Sequence, residues 1–416
     1  MSIKNGFEKR SSGKINAVNL ILAFIAMMQS GNKSYLAWSR SFAMVTGKTI
    51  SKQGIFKKMN KSWLNLLKTL LQDVLKKQSQ KGVRRSLLSP FKNVWVQDST
   101  TLHLPDIMSS RFKGNVSRGK QKSVAKINIV INVLTGSCPV MELMGFTVNE
   151  QKLSGSILSI AKKGDLVIRD LGYFVLSVFT AMDTEGIYFL SRLKYNVGLY
   201  DIKTDKKLEL ARLLKGKPYL DRQLKCGAEE KLVVRLVALK LSPERAAERR
   251  RKAKQDRDWR ANHSEDYYIL LDYLIFITNV EPAKWNYKQV AQAYRSRWNI
   301  EILFKSWKSG FKMEEMIPDD KTHTERIESY IYMMLLYVAW FHQIILIPFK
   351  WIIEKKTQKQ ISILKTAAYM IANFSNWLCE GVGIKDWRQL TYFCCYEKRA
   401  KPNAIAGLEL FYMKLG

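Results

Sequence analysis

The sequence predicts an α/β protein in which a strand-rich centre lies between helical N- and C-terminal regions. Apolar residues recur at spacings of three and four from about residue 15 to residue 90, as in amphipathic helices. Between residues 91 and 195, short β-type runs alternate with helical runs. Hydrophobic residues make up 47% of the 416-residue chain, which is enough for a large packed core.

The N-terminal region, 1–90, is predicted to be a helical DNA-binding domain. Within it, a helix over 35–45, a turn at Gly47 and a second helix that begins at Ser51 have the order of a helix-turn-helix. Serine is a common cap at helix N-termini, which supports the start of the second helix at Ser51. Two packed helices with a solvated basic face would produce the same pattern, so both interpretations stay open.

The strand-rich centre begins with three β-type runs in succession. The turn 135–137 contains Gly136 and predicts that the second and third strands are antiparallel. The predicted strands are 93–98, 126–134, 140–148, 165–170 and 187–192, and the predicted helices are 155–162 and 175–184.

Residues 196–272 interrupt this order and are predicted to form an insertion domain. The run 231–241 has the composition of a strand, whereas 244–260 carries eight basic and four acidic residues and is predicted to be helical. That charged run is either a nucleic-acid contact or an ordinary solvated helix. A strand over 273–278 then leads into a long amphipathic helix predicted for 287–313.

The rest of the chain is predicted to be helical. The apolar run that starts at residue 330 is about 20 residues long, which is enough to cross a bilayer. His342 and Gln343 lie near its middle and favour a buried core helix instead. In the region 351–416, apolar and aromatic side chains pack either on the core or on a second copy of the chain; they are Phe374, Trp377, Leu378, Trp387, Leu390, Tyr392 and Phe393.

The charge balance indicates a polyanionic partner. The chain has 69 Lys and Arg against 36 Asp and Glu, a formal net charge of +33. Such an excess concentrates nucleic acid or an anionic membrane face around the protein. The five cysteines are scattered and form no CxxC pair, which argues against a disulfide framework and against a zinc site. No signal-peptide pattern precedes the first helix, so a cytoplasmic location is expected.

Two aspartates are candidate site residues because each follows a hydrophobic strand. Asp98 ends the run NVWVQD and Asp170 ends the run DLVIRD. In open α/β sheets, ligands bind beyond the carboxyl ends of the strands. An aspartate in such a place also commonly caps the next helix, so neither residue is decisive alone.

The third candidate acid lies on the long helix. Tyr294, Arg297, Glu301 and Lys308 are offset by 0, 3, 7 and 14 residues. At about 100° per residue these offsets fall on one stripe about 60° wide. An Arg/Glu pair four residues apart is also common on ordinary helices.

Three carboxylates that converge in a basic cleft are suited to binding two divalent cations. Such ions activate a water or a 3′-hydroxyl and stabilise the leaving oxygen in phosphoryl transfer. Carboxylate oxygens select Mg²⁺ or Mn²⁺ over zinc. The sequence offers no support for a serine or cysteine nucleophile.

The helix stripe carries a family resemblance. The spacing Tyr294-x2-Arg297-x3-Glu301-x6-Lys308 is similar to the Y-R-E-K signature of bacterial DDE transposases of the insertion-sequence-four family, and it matches without a gap or substitution. Asp98 and Asp170 look like the first and second aspartates of that family. The similarity extends from about residue 93 to residue 308.

The resemblance implies a ribonuclease-H-like catalytic core in two parts, 91–195 and 273–350, interrupted by the insertion domain. It implies that the three acids hold two Mg²⁺ or Mn²⁺ ions, and that Tyr294, Arg297 and Lys308 contact DNA near the cleaved phosphate. The implied activity is cleavage of insertion-sequence ends and their joining to target DNA, by a homodimer associated with the bacterial nucleoid. The alternative is a catalytically inactive or domesticated sequence-specific DNA-binding protein, which the presence of all three acids disfavours.

Overall fold

The computed structural model describes residues 6–8, 15–77, 87–255, 264–357, 359, 361–380 and 383–396. Over these residues the chain is a mixed α/β protein with one large sheet. Its strands are β1 (Val94–Leu104), β2 (Lys113–Ser117), β3 (Lys120–Asn132), β4 (Val140–Gly145), β5 (Leu166–Arg169), β6 (Tyr188–Arg192), β7 (Leu199–Tyr200), β8 (Lys207–Leu208), β9 (Tyr219–Cys226), β10 (Leu232–Lys240) and β11 (Tyr273–Thr278).

Fifteen α-helices are present in the described part of the chain. They are α1 (Ala17–Gln29), α2 (Tyr35–Thr46), α3 (Lys52–Lys58), α4 (Lys61–Lys76), α5 (Glu150–Leu153), α6 (Leu176–Thr184), α7 (Leu210–Leu214), α8 (Pro243–Lys254), α9 (Glu265–Leu271), α10 (Tyr287–Tyr294), α11 (Trp298–Lys305), α12 (Thr324–Trp340), α13 (Ile347–Thr357), α14 (Ile363–Glu380) and α15 (Ile384–Phe393). Short 3-10 helices cover Asp106–Ser110, Ser154–Ser159, Leu171–Tyr173 and Arg295–Arg297, and π-helical turns cover Ser306–Gly310 and Phe341–Leu346.

The sheet runs in the order β2-β3-β1-β5-β6-β11-β10-β9-β7-β8, with β4 also paired to β3. β3 is antiparallel to both β1 and β4, and β5 and β6 continue from β1 in parallel. The hairpin predicted around Gly136 is therefore confirmed. The strands predicted from the sequence are all present, with ends that shift by up to six residues: β1 continues to Leu104 and β3 begins at Lys120.

Two helical predictions need correction. The region predicted as a helix over 155–162 is a 3-10 helix, Ser154–Ser159, which follows the single α-turn of α5. The hydroxyl of Ser156 donates to the carbonyl of Leu153, and the hydroxyl of Ser159 donates to that of Ser156. Such side-chain bonds to the backbone compete with regular α-helical pairing.

The long helix predicted for 287–313 is not one continuous α-helix. It consists of α10, the 3-10 turn Arg295–Arg297, α11 and the π-turn Ser306–Gly310. Side chains donate to backbone carbonyls at both interruptions of the α-helix. The side-chain amide of Asn299 donates to the carbonyl of Ser296, and the hydroxyl of Ser306 donates to the carbonyl of Leu303. A π-turn inside a helix is frequently found at a functional site.

The N-terminal helices have the order that the sequence predicts. Gly47, at φ +66°, ends α2 in the left-handed conformation, and the Ser51 hydroxyl accepts from the amide of Gly54 at the start of α3. Lys52 and Lys57 on α3 are exposed. The fold is compatible with both interpretations of this helix pair, and DNA binding by it stays a prediction.

The strands of the insertion belong to the same sheet as the strands of the centre. β11 is antiparallel to β6 on one side and to β10 on the other. Arg235 on β10 supports this junction: its buried guanidinium pairs with Asp221 at 2.6 Å and donates to the carbonyls of Val280 and Trp285. The residues 256–260 of the predicted charged helix lie outside the described residues.

Replacing Arg235 by Met should lower the free energy of unfolding by about 3 to 5 kcal/mol, because it leaves Asp221 and two buried carbonyls without their donor. Urea unfolding measures this. Arg222→Met is the matched control on the neighbouring strand: its pair with Asp201 is exposed, so the expected cost is below about 1 kcal/mol. Equal costs for the two variants would contradict the structural role of Arg235.

The apolar run near residue 330 forms a buried core helix, as predicted. Among the described residues, the helical run Thr324–Ile353 is long and apolar enough to span a membrane, with a mean hydropathy of 1.7, yet 78% of that window is buried inside the protein. The ring of His342 donates to the carbonyl of Gly136, and the amide of Gln343 donates to that of Val74 at 2.8 Å. The polar residues of the run therefore serve its packing.

Burial lowers the pKa of His342 from 6.5 to about 4. The unfolded chain binds more protons between these values, so the contribution of His342 to stability is complete above pH 6.5 and lost as the pH falls towards 4. His342→Gln keeps a donor for Gly136 and should remove about 2 to 3 kcal/mol of this acid sensitivity in urea titrations at several pH values. His103→Gln, at an exposed histidine, is the control, and an unchanged pH slope in the His342 variant would refute the assignment.

Most C-terminal aromatic residues pack within the chain. Phe374 is buried against Tyr337 and Trp340, and Trp377 and Leu390 are also buried. Trp387 packs near Phe349. Tyr392 and Phe393 are exposed, and the side chain of Leu378 lies outside the described residues.

Candidate active site

The register of two neighbouring strands brings the two aspartates together. β1 and β5 pair in parallel up to Val96 and Ile168, so Asp98 and Asp170 each lie two residues beyond the last pair. Asp170 follows the end of β5, as predicted. Asp98 does not end its strand, contrary to the prediction, because β3 continues to pair with β1 as far as Leu104. The relevant end is that of β5, which stops beside Asp98.

Arg297 lies among the three acids. Its Nη2 is 2.6 Å from Oε1 of Glu301, its Nη1 is 3.7 Å from Oδ2 of Asp98, and its Nε is 3.8 Å from Oδ1 of Asp170. The guanidinium is 12% exposed, whereas the carboxylates are 21 to 38% exposed. One largely buried cation is therefore shared by three carboxylates that open towards solvent.

Tyr294 supports the same cluster from the preceding turn. Its hydroxyl donates to Oδ1 of Asp170 at 3.4 Å, and its ring is buried against Phe276 with 5.0 Å between centroids. Burial raises the pKa of Tyr294 to about 12, so the hydroxyl stays protonated and able to donate. The contact positions the Asp170 carboxylate beside Arg297.

The acids influence one another electrostatically. Burial, together with the charges of Asp170 and Glu301, raises the pKa of Asp98 to about 6, against the opposing effects of the Ser99 amide and Arg297. Burial lowers the pKa of Arg297, but Tyr294 and the carboxylates outweigh it and raise the pKa overall. A site with this excess of negative charge favours cations.

Lys308 lies apart from the cluster. It is partly exposed on the π-turn, seven residues after Glu301, which corresponds to about 10 Å along a helix. No ion pair joins it to the acids in the part of the chain that the structure describes. Of the six predicted site residues, five contact one another, and Lys308 forms no ion pair with them among the described residues.

The donor set has the chemistry of a site for hard divalent cations, since it consists of carboxylate oxygens. Within the described ranges, however, no three His, Cys, Asp or Glu side chains are spaced to share one ion. The carboxylates meet the guanidinium of Arg297 from different sides instead of meeting one another. Metal binding by these residues would require Arg297 to give up part of its contacts.

The structure adds polar residues that the sequence pattern did not single out. Lys126, on the buried strand β3, donates to Glu150 at 2.6 Å, and the hydroxyl of Ser99 donates to the same carboxylate at 3.1 Å. Burial alone would raise the pKa of Glu150, but the hydrogen bonds to its carboxylate and the charge of Lys126 together outweigh burial and the pKa is lowered. The sequence feature that could have indicated this role is the lysine that begins the mainly apolar run KINIVINVL. This pair braces the backbone beside Asp98.

Arg192 is a second addition. It ends β6, and because Arg169 of β5 pairs with Ser191, Arg192 is level with Asp170. Its charge acts on Tyr294, which places a further cation near the acids. The sequence could have indicated Arg192 as a site residue because it ends a predicted strand, as the aspartates were predicted to do.

Comparisons with known proteins place this chain among transposases. A family model described as "Transposase DDE domain" matches residues 89–327. The transposase for insertion sequence element IS231B of Bacillus thuringiensis subsp. berliner is 26% identical over 356 residues, covering 80% of this chain and 73% of that protein. The transposase for IS1151 of Clostridium perfringens is 26% identical over 359 residues, covering 80% and 74%. The transposase for IS231F of Bacillus thuringiensis subsp. israelensis is 28% identical over 315 residues, covering 70% and 65%.

Among solved structures, a piggyBac transposase synaptic complex with hairpin DNA has a TM-score of 0.46 and 9% identity, over 97% of this chain and 83% of that chain. The match of the family model includes Asp98, Asp170 and Glu301 and confirms the predicted resemblance to DDE transposases at the level of the family. Because it spans 239 of the 416 residues, the chain belongs to the transposase DDE domain family.

Proposed function

We propose that this protein is a DNA transposase that binds insertion-sequence ends, cleaves them and joins them to target DNA by cut-and-paste transposition. The observation that carries the proposal is the convergence of Asp98, Asp170 and Glu301 around Arg297, beside the carboxyl end of β5. The net charge of +33 supports a nucleic-acid substrate. The named relatives are insertion-sequence transposases, which supports the same reaction.

The proposal includes a ribonuclease-H-like core built from 91–195 and 273–350, with 196–272 as its insertion. The antiparallel strands β4, β3 and β1, followed by the parallel strands β5 and β6, support it. The helix α11, which carries the glutamate, packs against β1. The regions 1–90 and 351–416 are then the proposed DNA-binding and dimerisation regions.

We assign Asp98, Asp170 and Glu301 as the residues that would hold two Mg²⁺ or Mn²⁺ ions. When bound, such ions supply an activated attacking oxygen and charge neutralisation at the leaving oxygen. Arg297 would exchange its carboxylate contacts for phosphate oxygens, for which its planar fork is suited. Lys308 would contact the DNA as a point charge further along the helix.

The proposed chemistry is two phosphoryl transfers. In cleavage, a water oxygen bonds to phosphorus while the bond to the 3′ oxygen breaks; the water loses a proton and the leaving oxygen takes one up. In joining, the freed 3′-hydroxyl oxygen bonds to a target phosphorus and displaces the target's own 3′ oxygen. The number of phosphodiester bonds is unchanged in that second step, so it needs no energy source.

Purified full-length protein, incubated with Mg²⁺ and DNA carrying the repeats that flank its gene, should nick the element ends. DNA with scrambled repeats and reactions containing EDTA are the controls. Binding of the ends without nicks, in Mg²⁺ and in Mn²⁺, would overturn the proposal in favour of an inactive DNA-binding protein. Light scattering with end DNA should show a complex of two protein chains, as the proposed homodimer requires.

A further inference from the structure

We infer that a basic β-hairpin, residues 111–122, is a second DNA-contacting element, which binds duplex DNA about 30 Å from the catalytic acids. The inference rests on the proposed function in that the partner is DNA. It concerns a surface outside the acidic cluster and outside the helix that carries Glu301.

The hairpin extends beyond the rest of the sheet. β5 pairs with β1 only as far as Val96, whereas β3 pairs with β1 to Leu104 and then with β2 as far as Ser117. Ile129 on β3 is the partner of Asp98, and Lys120 begins the same strand nine residues earlier. At about 3.3 Å per residue, the tip is about 30 Å from Asp98 along the strand direction.

The hairpin is strongly basic and solvent-exposed. The segment RFKGNVSRGKQK contains five cations and no acid, and residues 115–120 are all exposed. Arg111 pairs with the buried Glu328, and Lys122 pairs with Asp106. Lys113, Arg118 and Lys120 have no ion-pair partner among the residues that the structure describes. Three uncompensated charges on one narrow ribbon favour a polyanion.

The backbone of the hairpin is shaped for a tight turn. Arg118 and Gly119 have φ values of +49° and +72°, as the central residues of a type I′ turn require. At Gly114, an added Cβ would approach a methyl group of Val124 to 2.8 Å, so glycine lets β2 close on β3. The tip also exposes Val116, which is 67% accessible. A two-stranded ribbon of this kind fits the major groove of B-DNA, which is about 12 Å wide.

The geometry points to a specific position on the DNA. A separation of about 30 Å corresponds to about nine base pairs at about 3.4 Å each. The hairpin contains the start of β3, and β3 pairs with β1, which carries Asp98, so a continuous strand pairing sets the spacing between the hairpin and Asp98. The contacted phosphates should therefore lie about nine base pairs from the cleaved bond.

The test compares two triple variants in binding assays without divalent cations, so that cleavage does not interfere. Lys113→Gln/Arg118→Gln/Lys120→Gln neutralises the hairpin. Lys203→Gln/Lys206→Gln/Lys207→Gln removes the same charge from exposed lysines at β8, at the other end of the strand order. Binding of a duplex that carries the flanking repeats is measured from 50 to 200 mM salt.

For the hairpin variant, the slope of log affinity against log salt should fall by roughly 2 to 3, since each phosphate that the protein neutralises contributes about 0.9 to that slope. The control variant should keep the wild-type slope. Ethylation of phosphates about nine base pairs from the repeat end should interfere with wild-type binding and not with binding by the hairpin variant. Gly114→Ala, which displaces the hairpin without changing its charge, should weaken binding as well.

An unchanged slope in the hairpin variant, or an equal fall in the control variant, would overturn the inference, provided that thermal unfolding shows both variants folded. These readouts are independent of catalysis. Wild-type protein that binds the duplex but nicks no ends would therefore contradict the proposed function while leaving the hairpin to be judged by its own salt slope and interference pattern.

Discussion

Replacing Glu301 by Ala is expected to reduce cleavage of transposon ends by at least about 100-fold while binding of the ends stays within a few fold of wild type. Loss of one carboxylate removes several kcal/mol of charge stabilisation in the proposed phosphoryl transfer, and about 2.7 kcal/mol already corresponds to a hundredfold in rate. Asp98→Ala and Asp170→Ala should behave alike, because all three carboxylates surround the same guanidinium. Nicking of labelled end DNA in Mg²⁺ measures the loss.

Glu315→Ala is the matched control for this series. Glu315 is exposed and its side chain forms a 3.7 Å surface pair with Lys312, so cleavage should be unchanged. Retention of more than a few per cent of wild-type cleavage by the Glu301 variant would remove Glu301 from the assigned site. A parallel loss of end binding would indicate misfolding, which circular dichroism of the variant would reveal.

Arg297→Lys is expected to reduce cleavage by roughly 10- to 100-fold, nearly as much as Glu301→Ala, although the positive charge is kept. The guanidinium places three nitrogens towards three separate carboxylates, and a single ammonium cannot occupy those positions together. The same planar fork is needed for a bidentate phosphate contact. Single-turnover cleavage and end binding, measured side by side, separate the chemical effect from an effect on affinity.

The same exchange at Arg295 provides the control, because Arg295 lies on the same 3-10 turn as Arg297. Arg295→Lys should leave cleavage within about twofold of wild type. If Arg297→Lys were equally active, the multidentate role would be wrong and a point charge would suffice. If only affinity fell, Arg297 would contact DNA without contributing to the reaction.

Much of the architecture follows from the sequence because local spacing determines it. Periodicity over three to four residues predicts the N-terminal helices, and the short β-type runs predict β1, β3, β4, β5 and β6. The spacing of Tyr294, Arg297 and Glu301 is likewise local, and the three side chains still reach one cluster although a 3-10 turn interrupts the predicted helix. The buried state of the run that contains His342 was predictable from its polar residues.

Other features depend on contacts between distant segments, which no local pattern contains. Only the pairing of β1 with both β3 and β5 places Asp98 within a strand and still beside Asp170. Only the pairing of β11 with β6 and β10 merges the insertion into the central sheet.

The same holds for side-chain partners. The sequence by itself determined which acids and cations are present, their order and the helix stripe that carries Glu301. The tertiary structure decided that Arg297 lies among all three carboxylates, whereas Lys308 forms no ion pair with them in the described part of the chain. The physical reason is that the partners of a charge are chosen by the strand register and helix packing that bring remote segments together, whereas residue spacing constrains only neighbours along the chain.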